Sequence, residues 1–221
     1  MIPKSMKSKF IQFIYRTNYD KLISNLVKKN MYFLDIGFGL GFLKPLVEKY
    51  DGNYIGIDPR NDGAFEFAKD TYGNKGYFKG FFPETNPLTK ENLKSGTIIS
   101  LTTLDEVIEK DIFLSAVKNL CSSDTKVYFA VRNLNWTFSS KKKIQSLNGN
   151  INRDYSYEEY CEFFTKNGFD ICRIEKRQRP FITSYSLSGI KNFVIILLDK
   201  FLTIKKSYMI GFLLRKSNSV K

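Results

Sequence analysis

The 221-residue chain contains no histidine. That excludes a Ser-His-Asp triad, a Cys-His dyad, a histidine-rich zinc site and an HExxH metalloprotease. Any chemistry must use carboxylates, Tyr, Lys, Arg, Cys or a bound cofactor, and no metal site is expected. Cysteine is scarce as well: Cys121, Cys161 and Cys172 form no CxxC pair. An odd, sparse set argues against a disulfide framework and fits a reducing compartment, so a cytoplasmic location is expected. The strongest apolar run, Phe193 to Ile204, is short and contains Asp199 and Lys200. A membrane-spanning helix needs roughly 20 apolar residues, so no transmembrane segment is expected. The basic N-terminal stretch is interrupted by Gln12 and Arg16 and has no cleavage-like end, so no export signal is read there. Internal repeats and low-complexity linkers are also missing. One domain over residues 1–221 is the simplest organisation, with residues 1–28 as an N-terminal helical cap.

Hydrophobic residues make up 43% of the chain, enough to fill a single core. Lys and Arg number 35 against 22 acidic residues, a net charge of +13. The excess is spread along the chain, so a solvated, lysine-rich surface is its plainest meaning. A nucleic-acid footprint and attraction to a membrane surface or an anionic substrate are the alternatives.

From residue 31 onward, short β-rich runs alternate with helix-like stretches. Strands are expected at Met31–Ile36, Asn53–Asp58, around Tyr77, at Thr97–Thr102 and at Lys126–Val131, with helices between them. A further helix ends at Gly168. Two more strands follow, "DICRIEKR" and "SYMIGFLLRK", separated by an apolar helix over 188–205. Such alternation predicts an α/β fold: a mostly parallel sheet with helices on both faces.

Within the first strand and its turn, "MYFLDIGFGLGFL" holds Gly37, Gly39 and Gly41 at every second position, with Asp35 just before them. So many glycines would weaken an ordinary strand. In an open parallel sheet, however, the first strand-to-helix turn lies where ligands bind, and glycines let backbone N–H groups approach a ligand directly. The dinucleotide pattern G-x-G-x-x-G fails because Phe42 stands where the third glycine belongs. The phosphate-cradling G-K-[ST] is absent.

The pattern instead resembles the first motif of the class I S-adenosylmethionine-dependent methyltransferases, matched by "LDIGFGLG" at Asp35, Gly37, Gly39 and Gly41. "YIGIDPR" is similar to the second motif, an acid closing strand two, at Asp58. "SLTTLDEVIEKDIFLSAVKNL" and "KVYFAVRN" resemble the family's fourth strand, helix and fifth strand. The resemblance implies a Rossmann-like seven-stranded sheet whose last strand is antiparallel, and S-adenosyl-L-methionine as cofactor. It places the backbone of Gly37 to Gly41 against the methionine part and ribose. Asp35 would hold the cationic amino end, directly or through water, and Asp58 would accept both ribose hydroxyls. The acid that often follows strand three in this family is replaced by Phe81 and Phe82, with Glu84 beyond them. After strand four, Asp105-Glu106 stands where relatives often carry an acid-His pair.

Methyl transfer needs a general base only when the acceptor holds its proton tightly. Glu106 is the expected base and Asp105 the second candidate; the alternative is that both are acids favouring the start of the next helix. Residues 133–155 are the expected substrate loop, with Arg132, Asn133 and Trp136 as candidate substrate-binding residues. Plain packing is the other reading of Trp136. The expected acceptor is a small molecule or glycan, which an anionic character would suit given Lys141 to Lys143. RNA is the less favoured acceptor, because "TLDE" lacks the Asn/Asp-Pro-Pro-aromatic run of base-amino methylating enzymes. A non-catalytic protein keeping the fold for binding is the third reading.

Overall fold

The computed structural model describes residues 19–135, 145–147, 150–152, 155–177, 203–207 and 209–218. Its sheet has seven strands. β1 (Tyr32–Ile36), β2 (Asn53–Asp58), β3 (Tyr77–Lys79), β4 (Thr97–Leu101) and β5 (Lys126–Arg132) are parallel. β8 (Phe169–Arg177) and β9 (Met209–Lys216) complete it, in the order β3-β2-β1-β4-β5-β9-β8. β9 runs antiparallel to both its neighbours, β5 and β8. This is the expected α/β architecture, including the reversed last strand.

Burial on both faces explains the near-continuous apolar strands. Alternate residues of one strand enter two separate cores. Leu34, Ile98, Val127 and Phe129 pack on one face. There they meet Leu114 and Val117 of α4 (Lys110–Leu120) and Phe163 and Phe164 of α5 (Tyr157–Lys166). Phe33, Ile99, Tyr128 and Met209 pack on the other face. They lie against a helix over 19–26 (α1), Leu46 and Val47 of α2 (Lys44–Lys49) and Ala68 of α3 (Ala64–Tyr72). α5 opens with a capping box, in which the Ser156 side chain and Glu159 satisfy each other's backbone N–H groups.

Between β5 and α5, residues 145–152 hold a short antiparallel pair, β6 (Gln145–Leu147) and β7 (Asn150–Asn152), which the sequence pattern did not suggest. Most of the expected 133–155 loop, Trp136 included, lies outside the described residues. So do residues 1–18 of the expected cap and 188–202 of the expected apolar helix. Where that helix was expected to end, Thr203 is extended and Ile204–Lys206 form a single 3-10 turn. No helix among the described residues is long and apolar enough to cross a membrane.

Candidate active site

Two clefts open along the carboxyl ends of the parallel strands and meet at Gly37, Pro59, Thr103 and Glu106. The larger, about 610 Å³, is lined by Tyr19, Asp35, Gly39, Asp58, Arg60 and Met209, among others. Its neighbour, about 540 Å³, is walled by Phe81, Phe82, Val107, Ile108 and Ile112, with Glu84 on its rim. The first gathers Asp35, Asp58 and Arg60, and the second sets aromatic and aliphatic walls beside Glu84, Glu106 and Glu109. Together they suit a ligand with a polar, charged end and a flat apolar end.

The glycine turn separates into two jobs. Gly37 and Gly39 line the larger cleft, both with φ in the left-handed region, +80° and +60°. A Cβ on Gly37 would lie 1.8 Å from the Thr103 hydroxyl oxygen, which itself donates to the Ile36 carbonyl at 3.1 Å. Gly41 faces the core instead: a Cβ there would strike the Tyr77 hydroxyl at 2.5 Å and Ala68 at 2.9 Å. Its absence lets α3 and Tyr77 pack against the turn.

Asp35 is almost fully buried, and its Oδ2 accepts from the Tyr54 hydroxyl at 2.8 Å. Gly56 stands opposite Asp35 in the β1–β2 register. A Cβ on Gly56 would lie 2.6 Å from the Tyr54 hydroxyl, so the missing side chain makes the space in which that hydroxyl sits. Burial pushes the Asp35 carboxyl up to about 7, the Tyr54 bond pulls it back, and the nearby Asp58 charge adds to the rise. Tyr19, at the same cleft, is pushed up to about 12 by burial, while Arg177 pulls it down and Asp35 raises it. A cation delivered into this corner would meet a carboxylate with little water to screen it.

Asp58 closes β2 and ties the turn to it. Its Oδ2 accepts from the Gly39 N–H at 2.8 Å, and its Oδ1 accepts from the Arg60 N–H at 2.9 Å. The Arg60 side chain reaches the same oxygen through Nε at 3.3 Å. Asp58 is thus a buried carboxylate fixed in place by two backbone donors and fronted by a guanidinium.

At the end of β4, the two adjacent acids differ. Asp105 is buried, accepting from the Tyr160 hydroxyl at 2.8 Å and the Arg132 N–H at 3.0 Å. It joins the β4 end to β5 and α5. Glu106 lies on the rim shared by both clefts, its side chain 68% exposed, with Oε1 accepting from Arg132 Nη2 at 2.9 Å. Thr102, between β4 and these acids, has φ +64°, a strained conformation for a β-branched residue.

Of the candidate substrate residues, Arg132 bridges Asp105 and Glu106. Asn133 is buried: its amide donates to the carbonyls of Lys205 and Ser207, and its oxygen accepts from the Asn135 N–H. That arrangement pins the chain before β9 to the end of β5. Residue-by-residue reading of the sequence missed Tyr19, Tyr54, Arg60 and Thr103. Only Arg60 left a trace, as a charge two places after a strand-ending acid.

No protein-family profile and no curated protein sequence matches the chain. Solved structures do share its fold. A SAM-dependent methyltransferase from Aquifex aeolicus aligns with a TM-score of 0.56 at 16% identity, covering 96% of this chain and 98% of that one. An S-adenosylmethionine-dependent methyltransferase from Mesorhizobium loti gives 0.61 at 10% identity, over 92% and 100%. Phosphoethanolamine N-methyltransferase 2 of Haemonchus contortus, solved with S-adenosyl-L-methionine, gives 0.62 at 16% identity, over 94% of this chain and 57% of that one. The fold is that of the class I methyltransferases.

Proposed function

We propose that the protein is an S-adenosylmethionine-dependent methyltransferase acting on a small-molecule or glycan acceptor, at oxygen or nitrogen. The observation that carries this reading is the pairing of a buried Asp35 with Asp58 across a glycine turn whose open face lines one cleft. That geometry offers one carboxylate to a cationic amino group and another to a pair of hydroxyls, with bare backbone between them. The neighbouring cleft, with aromatic and aliphatic walls from Phe81, Phe82 and Ile112, is suited to the adenine. When bound, the cofactor supplies an electrophilic methyl group on a sulfonium.

The chain's own residues then bind and orient. Asp35, Gly37, Gly39 and Asp58 hold the cofactor, and Gly41 lets the turn close against α3 and Tyr77. Glu106 is the carboxylate placed to take a proton from an acceptor at the junction of the clefts. Arg132 fixes the Glu106 carboxylate, and Asp105 anchors Arg132 in turn. Asp105 is thereby a positioning residue in this reading. Asn133 contributes by holding the wall behind it.

A second reading, an RNA acceptor, draws support from the net charge of +13. Burial, together with the charges of Lys28 and Arg215, holds Lys126 below the usual lysine value, which marks a local excess of cations. Lys126 begins β5, however, at the edge opposite the clefts. An RNA held there would be remote from the transferred methyl group.

Calorimetric titration with S-adenosylhomocysteine tests the main reading, with Asp58→Ala and with NADH as rival ligand. Binding in the micromolar range that the substitution abolishes, and no heat from NADH, is the expected result. A wild-type protein that ignores S-adenosylhomocysteine would end the proposal. RNA binding that weakens steeply with salt would favour the second reading.

A further inference from the structure

Arg60 occupies the place from which a ligand would reach Asp58. Its Nε lies 3.3 Å from Asp58 Oδ1. Its Nη2 lies 3.1 Å from the position a Cβ would take on Gly39. The guanidinium therefore lies over Gly39 and contacts the carboxylate beside it. A ligand that packs against Gly39 and donates hydroxyls to Asp58 would compete with the guanidinium for the same carboxylate.

The same guanidinium is already held from its other side, so it can release Asp58 without losing its last partner. Arg60 Nη1 lies 3.7 Å from Asp62 Oδ2, on the solvent side of the same loop. Asp62 uses its other oxygen to accept the Ala64 N–H at 3.1 Å, at the start of α3. Arg60 and Asp62 are both about half exposed, so their pairing is weak, whereas Asp58 is buried and its pairing with Arg60 is the one a ligand must displace. The Arg60 backbone N–H holds Asp58 in place whichever way the side chain points.

We propose that Arg60 is a latch on the cofactor site: its side chain caps Asp58 in the free protein and swings to Asp62 when the ligand's ribose enters. This rests on the methyltransferase reading and adds to it a self-contact that the ligand must displace. The latch lowers affinity by the cost of that displacement, as any state that must be left before binding does. It also gives the buried Asp58 carboxylate a cationic partner when no ligand is present.

Titration of S-adenosylhomocysteine into wild type, Arg60→Ala, Asp62→Asn and the double variant tests the latch. Asp62→Asn keeps the oxygen that caps α3 and removes the charge that receives the guanidinium. Arg60→Ala is expected to bind roughly two- to five-fold tighter, because the ligand no longer has to displace the guanidinium. Asp62→Asn is expected to bind more weakly than wild type, and to have no effect once Arg60 is alanine. Weaker binding by Arg60→Ala would overturn the proposal by making Arg60 a ligand contact. An Asp62→Asn loss that persists in the double variant would overturn it by assigning the effect to the α3 cap. If none of the four proteins binds, the cofactor reading itself fails and takes the latch with it; if all four bind equally, only the latch fails.

Discussion

The Tyr54 hydroxyl donates to Asp35 Oδ2 across the parallel pair β1–β2, in space that Gly56 leaves open. The bond favours the ionised carboxylate, the form that would receive a ligand's ammonium group. Tyr54→Phe is therefore expected to weaken S-adenosylhomocysteine binding about ten-fold at neutral pH, in line with a lost hydrogen bond to a charged group. Titrations at pH 7 and pH 9 check this. The deficit should shrink at the higher pH, where Asp35 is ionised with or without its partner.

Asp35 also sets a pH dependence. Its carboxyl is pushed from 3.8 up to about 7, so the folded protein holds this proton more tightly than the unfolded chain. Stability from this group is full below about pH 4, falls as pH rises towards 7, and is level above that. Ligand binding runs the other way and should strengthen between about pH 6 and pH 8 as the proton leaves. Asp35→Asn is expected to flatten the stability profile over pH 4–8, to melt at a higher temperature than wild type at pH 8, and to lose binding. Thermal melts across that range, paired with titrations, would show it.

Gly37→Ala meets two obstacles, a positive φ and the Thr103 hydroxyl 1.8 Å from the new methyl group. The expected cost is about 1–3 kcal/mol of stability, together with loss of ligand binding. Adding Thr103→Ala removes the hydroxyl and methyl but leaves the residue-103 Cβ 2.8 Å away, so it should recover part of the stability and leave the backbone strain and the remaining contact. Denaturant unfolding of both variants would measure the part due to the Thr103 hydroxyl and methyl.

The two acids after β4 should part company under amide substitution. Asp105→Asn disturbs a buried carboxylate that accepts from Tyr160 and Arg132, and is expected to cost about 2–4 kcal/mol. Glu106→Gln alters an exposed rim residue, and its melting temperature should stay close to that of wild type. If Glu106 takes the acceptor's proton, turnover falls by roughly a hundred-fold while S-adenosylhomocysteine binding is unchanged. Melting curves and single-turnover rates measured together would distinguish an anchor from a base.

The sheet was legible because two-sided burial writes itself into sequence as apolar runs at regular intervals, and β2 begins and ends where the pattern predicts. Asp35 and Asp58 were legible because a carboxylate beside a glycine turn, or at a strand end, stands out among apolar residues. Tyr54 did not stand out, since an aromatic residue in a strand reads as core until its hydroxyl is seen to reach a carboxylate. Gly41 reads the same as Gly37 and Gly39 in the sequence. Only the positions of Tyr77 and Ala68 show that it serves packing rather than the cleft. The contrast between Asp105 and Glu106 was equally hidden, because adjacent residues leaving a strand diverge by backbone path, which composition does not record.

The antiparallel β9 is wedged between β5 and β8, so it governs the order in which the sheet can assemble. The five parallel strands can align among themselves, but β8 joins the sheet only through β9, its one strand partner among the described residues. Until then, the flank of β5 from Val127 to Arg132 is an open template for any extended segment. Closure joins Val127 to Leu214, a long loop to bring together before any pairing is gained. On the ribosome, the β5 edge would stay open until a strand made after it arrived, and a chaperone that shields that edge would raise the yield of native protein.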